Sequence, residues 1–119
     1  MKEYVAIVKH ENTISVCLYI EKDKIMAIGE KMNELNEEAY MNGYNWEVFI
    51  EAYLTKNKPE LLEGLEPDPE AGAYYANYEL NSTNEKKAAE LVELLIGLVS
   101  NEETILEFVR TDGDNIEWD

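Results

Sequence analysis

The chain has 119 residues, of which ten are Lys or Arg and 26 are Asp or Glu, giving a formal charge of −16 at pH 7. That length suits one domain with its own core, and 45% hydrophobic with 30% charged residues excludes wholesale disorder. The sign of the charge argues against nucleic acid and anionic membrane surfaces, which need a basic face, and favours a basic protein partner steered in at long range; plain solubility is the competing reading.

Residues 4–8, YVAIV, are followed by HENT and then by Ile14, Val16, Leu18 and Ile20 alternating with Ser15, Cys17 and Tyr19. A period of two on both sides of a short polar stretch predicts an antiparallel hairpin. Cys17 is the only cysteine, so it forms no internal disulfide, and a reducing cytoplasm is the expected setting. The opening MKEYVAIVKHEN turns polar too soon for a signal peptide, and no run approaches the roughly twenty apolar residues of a membrane span.

Ile25, Ile28, Met32, Leu35 and Ala39 then recur at steps of three and four, which predicts a helix capped by Asp23 and ended by Asn42-Gly43. Gly29 inside it costs about 1 kcal/mol relative to Ala, so a short strand over 24–28 is the alternative. With Asn45 as N-cap, Trp46, Phe49, Ile50, Tyr53 and Leu54 form the stripe of a second helix, and such a stripe packs inward. Tyr40 and Tyr44 lie off it, placed either to seal a helix corner or to offer a hydroxyl to a partner.

Pro59 starts a short helical turn closed by Gly64, and EPDPEAG (66–72) reads as an acidic loop. The aromatic run AYYANYEL (73–80) predicts a strand with Tyr74, Ala76, Tyr78 and Leu80 on one face and Ala73, Tyr75, Asn77 and Glu79 on the other. Ser82 and Glu85 form a capping-box pattern ahead of the stripe Ala88, Leu91, Val92, Leu95, Leu98 and Val99. Asn101 caps a last helix that Gly113 ends, leaving DNIEWD as a tail or short edge strand. The sum is an α+β single domain over residues 1–119: an antiparallel sheet of at least three strands, the N-terminal hairpin plus strand 73–80, packed against about four helices.

Chemistry is thinly supplied. His10 is the only imidazole and sits at a hairpin end, and Cys17 lies inside a strand, so neither has a base and an orienting group by pattern. DGDNIEWD (112–119) fails as a calcium loop because Ile116 stands where an oxygen ligand is needed. With no CxxC, HExxH, GxGxxG or P-loop pattern, we expect no catalytic residues, no metal and no cofactor. The candidate partner contacts are Tyr44, the acidic loop residues Glu66, Asp68 and Glu70, and the tail residues Asp112, Asp114, Glu117 and Trp118, with the tryptophan as an aromatic anchor. The bland alternative is a solvated loop and a frayed end with Trp118 folded onto the core.

The pattern MNGYNWEVFIEAYL, followed by KPELLEGLEPDPEAG and a closing helical segment ending in IEWD, resembles the immunity protein 51 family of bacterial polymorphic-toxin systems. The likeness runs from about Gly43 to the end and is most specific at Gly43, Tyr44, Trp46, Asp68, Glu70 and Gly72. It implies a small α+β cytoplasmic protein, without catalysis of its own, that binds and neutralises the C-terminal domain of a delivered toxin, often a basic nuclease. The residues alone leave a second class open, an acidic adaptor or nucleic-acid mimic acting on a basic nucleic-acid-binding protein. A third, a small carboxylate enzyme or calcium-binding domain, has no motif behind it.

Overall fold

The computed structural model describes residues 2–118. Strands β1 (Val5–His10) and β2 (Thr13–Tyr19) form the expected hairpin, with Val5 opposite Leu18 and His10 opposite Thr13. Its two-residue turn, Glu11 and Asn12, needs the left-handed region, and Glu11 takes it with φ 52°.

Strand β4 (Ala73–Glu79) pairs with β2, and β3 (Glu66–Glu70) pairs with β4, so the sheet is antiparallel throughout in the order β1-β2-β4-β3. The first five residues of the acidic stretch expected to be a loop, 66–70, are thus a strand. Two prolines in five residues concealed it, because Pro cannot donate to a ladder. Pro67 and Pro69 alternate with Glu66, Asp68 and Glu70, so the ladder bonds to β4 must come from the acidic residues.

Four helices complete the fold: α1 (Asp23–Leu35), α2 (Gly43–Asn57), α3 (Ser82–Ser100) and α4 (Glu102–Asp112). Residues 24–28 are helical. Several caps fall one to three positions from the expected residue. Lys22, with no capping bond, precedes Asp23; Asn42 rather than Asn45 caps α2, its side chain accepting the Asn45 N–H at 2.9 Å; and Asn81 rather than Ser82 caps α3 by accepting the Asn84 N–H at 2.8 Å. Helix α1 also stops four residues short of Ala39, and the connection to α2 carries Met41 at φ 54°. Residues 113–115 form a 3-10 turn, and the tail joins no strand among the described residues.

One face of the sheet carries the core. Val5, Ile14, Val16, Leu18, Tyr74, Ala76 and Tyr78 point to it and are buried. Helix α3 crosses β1 and β2, and α2 lies along β3 and β4. Helix α4 packs on α3 and on α1, and its Phe108 meets Phe49 of α2 edge-to-face at 5.6 Å. Phe49 also makes a T-shaped contact with Trp46 at 5.8 Å and has no exposed surface. The aromatic run of α2 is therefore the seam between helices, and truncating Phe49 to Ala would cost about 3–5 kcal/mol.

Candidate functional site

Among the described residues no helix lies over the opposite face of the sheet, since α2 and α3 both lie on the buried side. Strand alternation sends every second residue there: Ala6, Val8 and His10 of β1; Thr13, Ser15, Cys17 and Tyr19 of β2; Ala73, Tyr75, Asn77 and Glu79 of β4; and the three acids of β3. The registers set these side chains in rows. Asp68 lies opposite Tyr75, which lies opposite Cys17 and then Ala6; Glu66 lies opposite Asn77, Ser15 and Val8 in turn. The Ser15 hydroxyl donates to the Asn77 side-chain oxygen, fixing the second row.

This face is polarised. Its β3–β4 side holds Glu66, Asp68, Glu70 and Glu79, and no Lys or Arg occupies an outward position on any strand. Among the described residues, none of these four carboxylates forms an ion pair. Neighbours on β3 are about 6–7 Å apart, too far to share a proton or a metal, yet inside the roughly 8 Å screening length of physiological salt, so they act as one field. The β1–β2 side is small and neutral, with Val8 the exposed apolar residue. Tyr75 and Tyr19 stand between, half-buried, and burial pushes both phenols above their ordinary pKa.

The candidate contacts fall into two groups on different layers. Tyr44 joins the β3 group through its neighbour. The Gly43 N–H donates to the Ala71 carbonyl at 3.0 Å, and a Cβ on Gly43 would lie 1.6 Å from the Glu70 carbonyl oxygen, so only glycine lets α2 begin against this hairpin end. Tyr44, 40% exposed, follows directly.

The tail group sits on the helical layer, and Asp112, Asp114 and Trp118 of it are engaged within the chain. Asp112 is bound by Lys56 at 3.1 Å and by the Thr111 hydroxyl at 2.7 Å; the Thr111 bond first and the Lys56 bond second lower its pKa. Asp114 accepts from the Asn36 amide at 3.5 Å. Trp118 is half-buried, its indole N–H donating to the Gly113 carbonyl at 3.1 Å, and Glu117 lines a shallow groove between the tail and α2.

No other set of reactive side chains comes together among the described residues. A groove of about 480 Å³ between α2 and α4 is open and lined by Glu103 and Glu107, both held by Arg110 at 2.6 and 3.2 Å. His10 is exposed, 4.0 Å from Glu11. Cys17 is buried, and burial raises its pKa, which keeps it as the unreactive thiol. Among the described residues no three His, Cys, Asp or Glu side chains converge as metal ligands, and no helix is long and apolar enough to cross a membrane.

Sequence reasoning missed the sheet face as a unit. The two faces of β4 were legible from alternation, but joining Tyr75 to Asp68 required β3 to be recognised as a strand. No curated protein and no solved structure matches the chain. The family model described as immunity protein 51 matches residues 5–113, from the start of β1 through the end of α4, and so spans the sheet, its open face and all four helices. The chain belongs to the immunity protein 51 family.

Proposed function

We propose that this protein is a stoichiometric inhibitor that neutralises a cationic toxin domain, in the cytoplasm of the cell it protects, by covering the surface the toxin works with. Family membership supports the immunity role. The observation that carries the cationic partner is the distribution of charge. Most basic side chains are committed to acids on the helical layer, as in Lys9–Glu85 at 2.6 Å, Lys31–Glu102 at 2.5 Å and Lys58–Glu90 at 3.1 Å, while among the described residues the acids on the open sheet face form no ion pair. Such a field accelerates encounter with a basic protein and disfavours acidic ones. Inhibition by occlusion asks for no bond chemistry from the chain.

The test uses the C-terminal toxin domain encoded next to this chain. Co-expression should rescue cells from that domain, and the purified pair should form a one-to-one complex whose association slows steeply between 50 and 500 mM salt, order-of-magnitude conditions set by the screening length. Loss of both rescue and complex overturns the proposal. Capture of endogenous nucleic-acid-binding proteins in place of the toxin domain would support the adaptor reading.

A further inference from the structure

We infer that the open face of the sheet, and not the acidic C-terminal tail, is the surface that grips the toxin, with Tyr75 at its centre as the anchor. The inference rests on the immunity reading and adds which surface acts and what it fits. The two acidic segments differ in what binding would cost them. Asp112 already has Lys56 and Thr111, so a partner cation would have to displace bonds the chain makes to itself. The β3 acids have no cation partner among the described residues, Glu70 sharing a hydrogen bond with the neutral Tyr75 phenol, and the strand holds them at fixed spacing, so they meet a cation without giving up an ion pair.

The occupant follows from sign and shape. A second copy of this chain is a poor fit, because its matching face carries the same four carboxylates and no cation to answer them. Nucleic acid and anionic lipid are repelled for the same reason. What fits is a fairly flat protein surface with Lys or Arg above β3 and β4 and small apolar groups above Ala6 and Val8. Tyr75 lies on the boundary between these halves, opposite Asp68 on one side and Cys17 on the other. A half-buried tyrosine with a fixed backbone brings apolar area and a hydroxyl at little entropic cost, the combination that concentrates binding energy.

Area sets a further requirement. Four strands of five to seven residues give a footprint of roughly 15 by 20 Å, less than half the ~800 Å² per partner of a standard interface. The contact must continue past the sheet, and the exposed aromatic at the acidic hairpin end is Tyr44, carried there by Gly43.

The experiment compares variants of the full chain against the inactivated toxin domain encoded beside it, measured by surface-binding kinetics. The combined Glu66→Lys, Asp68→Lys and Glu70→Lys change should weaken affinity at least a hundredfold, mainly by slowing association. Tyr75→Ala should weaken it at least tenfold by hastening dissociation, at low and high salt alike, and Tyr44→Ala severalfold. Combined Asp114→Lys and Glu117→Lys in the tail should leave it within about threefold. Circular dichroism checks that each variant folds; independently of any variant, amide NMR shifts on complex formation should concentrate in β2 and β4. A complex that survives the β3 reversal, or shifts confined to α4 and the tail, overturns this inference while leaving the immunity role standing. No complex with the unaltered chain overturns both.

Discussion

The acidic strand β3 and the acidic C-terminal tail look alike as strings of letters, EPDPE and DGDNIEWD, and differ in almost every physical respect once folded. The strand presents its carboxylates in register on an uncovered face. The tail closes over the helices, with Asp112 on Lys56 and the Trp118 indole on the Gly113 carbonyl. Negative charge by itself therefore says little about where a partner binds. On the proposal made above, what matters is whether the chain has already satisfied it.

The sharpest way to break this contrast is to unseat the strand. Gly43→Ala places a methyl group 1.6 Å from the Glu70 carbonyl oxygen and 2.4 Å from that of Ala73, so α2 and the β3–β4 hairpin must move apart. We expect a loss of about 3 kcal/mol or more in urea unfolding. An unchanged midpoint would show that the hairpin end is not held against α2. Next in size, Trp118→Ala should cost about 1–2 kcal/mol, as expected for a half-buried aromatic, without altering toxin affinity. A stability change near zero, or a large affinity loss, would make the tail resemble the strand after all.

Titration probes the buried side of the sheet. The Tyr78 hydroxyl donates to the Leu61 carbonyl at 2.7 Å, and burial pushes its pKa from 10.0 to about 12. The folded chain thus holds a proton that the unfolded chain releases above pH 10, so stability is intact below pH 10 and falls as pH rises toward 12. Tyr78→Phe should cost about 1 kcal/mol at pH 7 and flatten part of that alkaline fall. Buried Tyr74, also raised, keeps part of it, as do the raised Tyr19 and Tyr75. An alkaline slope unchanged by the substitution would assign the fall to other groups.

The smallest effect concerns the tail's own pairing. The pKa of Asp112 is lowered from 3.8, so the stability it contributes is present above that value and disappears as pH falls below it. Asp112→Asn should lower the thermal midpoint slightly at pH 7, and the difference from the unaltered chain should close in acid. A difference that persists at pH 2 would mean that Asp112 contributes by packing and not by charge.

Local pattern explains which parts of this fold could be read from the sequence. The hairpin and β4 were legible because alternation persists for five or more residues, and α3 because its stripe is long and polar-started. Strand β3 was hidden by Pro67 and Pro69. Helix α1 looked too long because Ala39, buried in the connection, continues its spacing, whereas Leu35 at the true end is 42% exposed. The acidic candidates were visible one by one. Their division was not, because it depends on contacts such as Lys56 with Asp112, 56 residues apart in sequence.

The prolines of β3 have one more consequence. A sheet with one bare face and two open sides risks growing sideways, as strands of other copies add to its edges and seed aggregates. Without amide hydrogens at Pro67 and Pro69, the outer side of β3 lacks the donors such growth requires, and at the far side β1 carries Lys9, whose ammonium is tied to Glu85. The molecule can thus leave one face of its sheet uncovered without offering edges on which other copies could build.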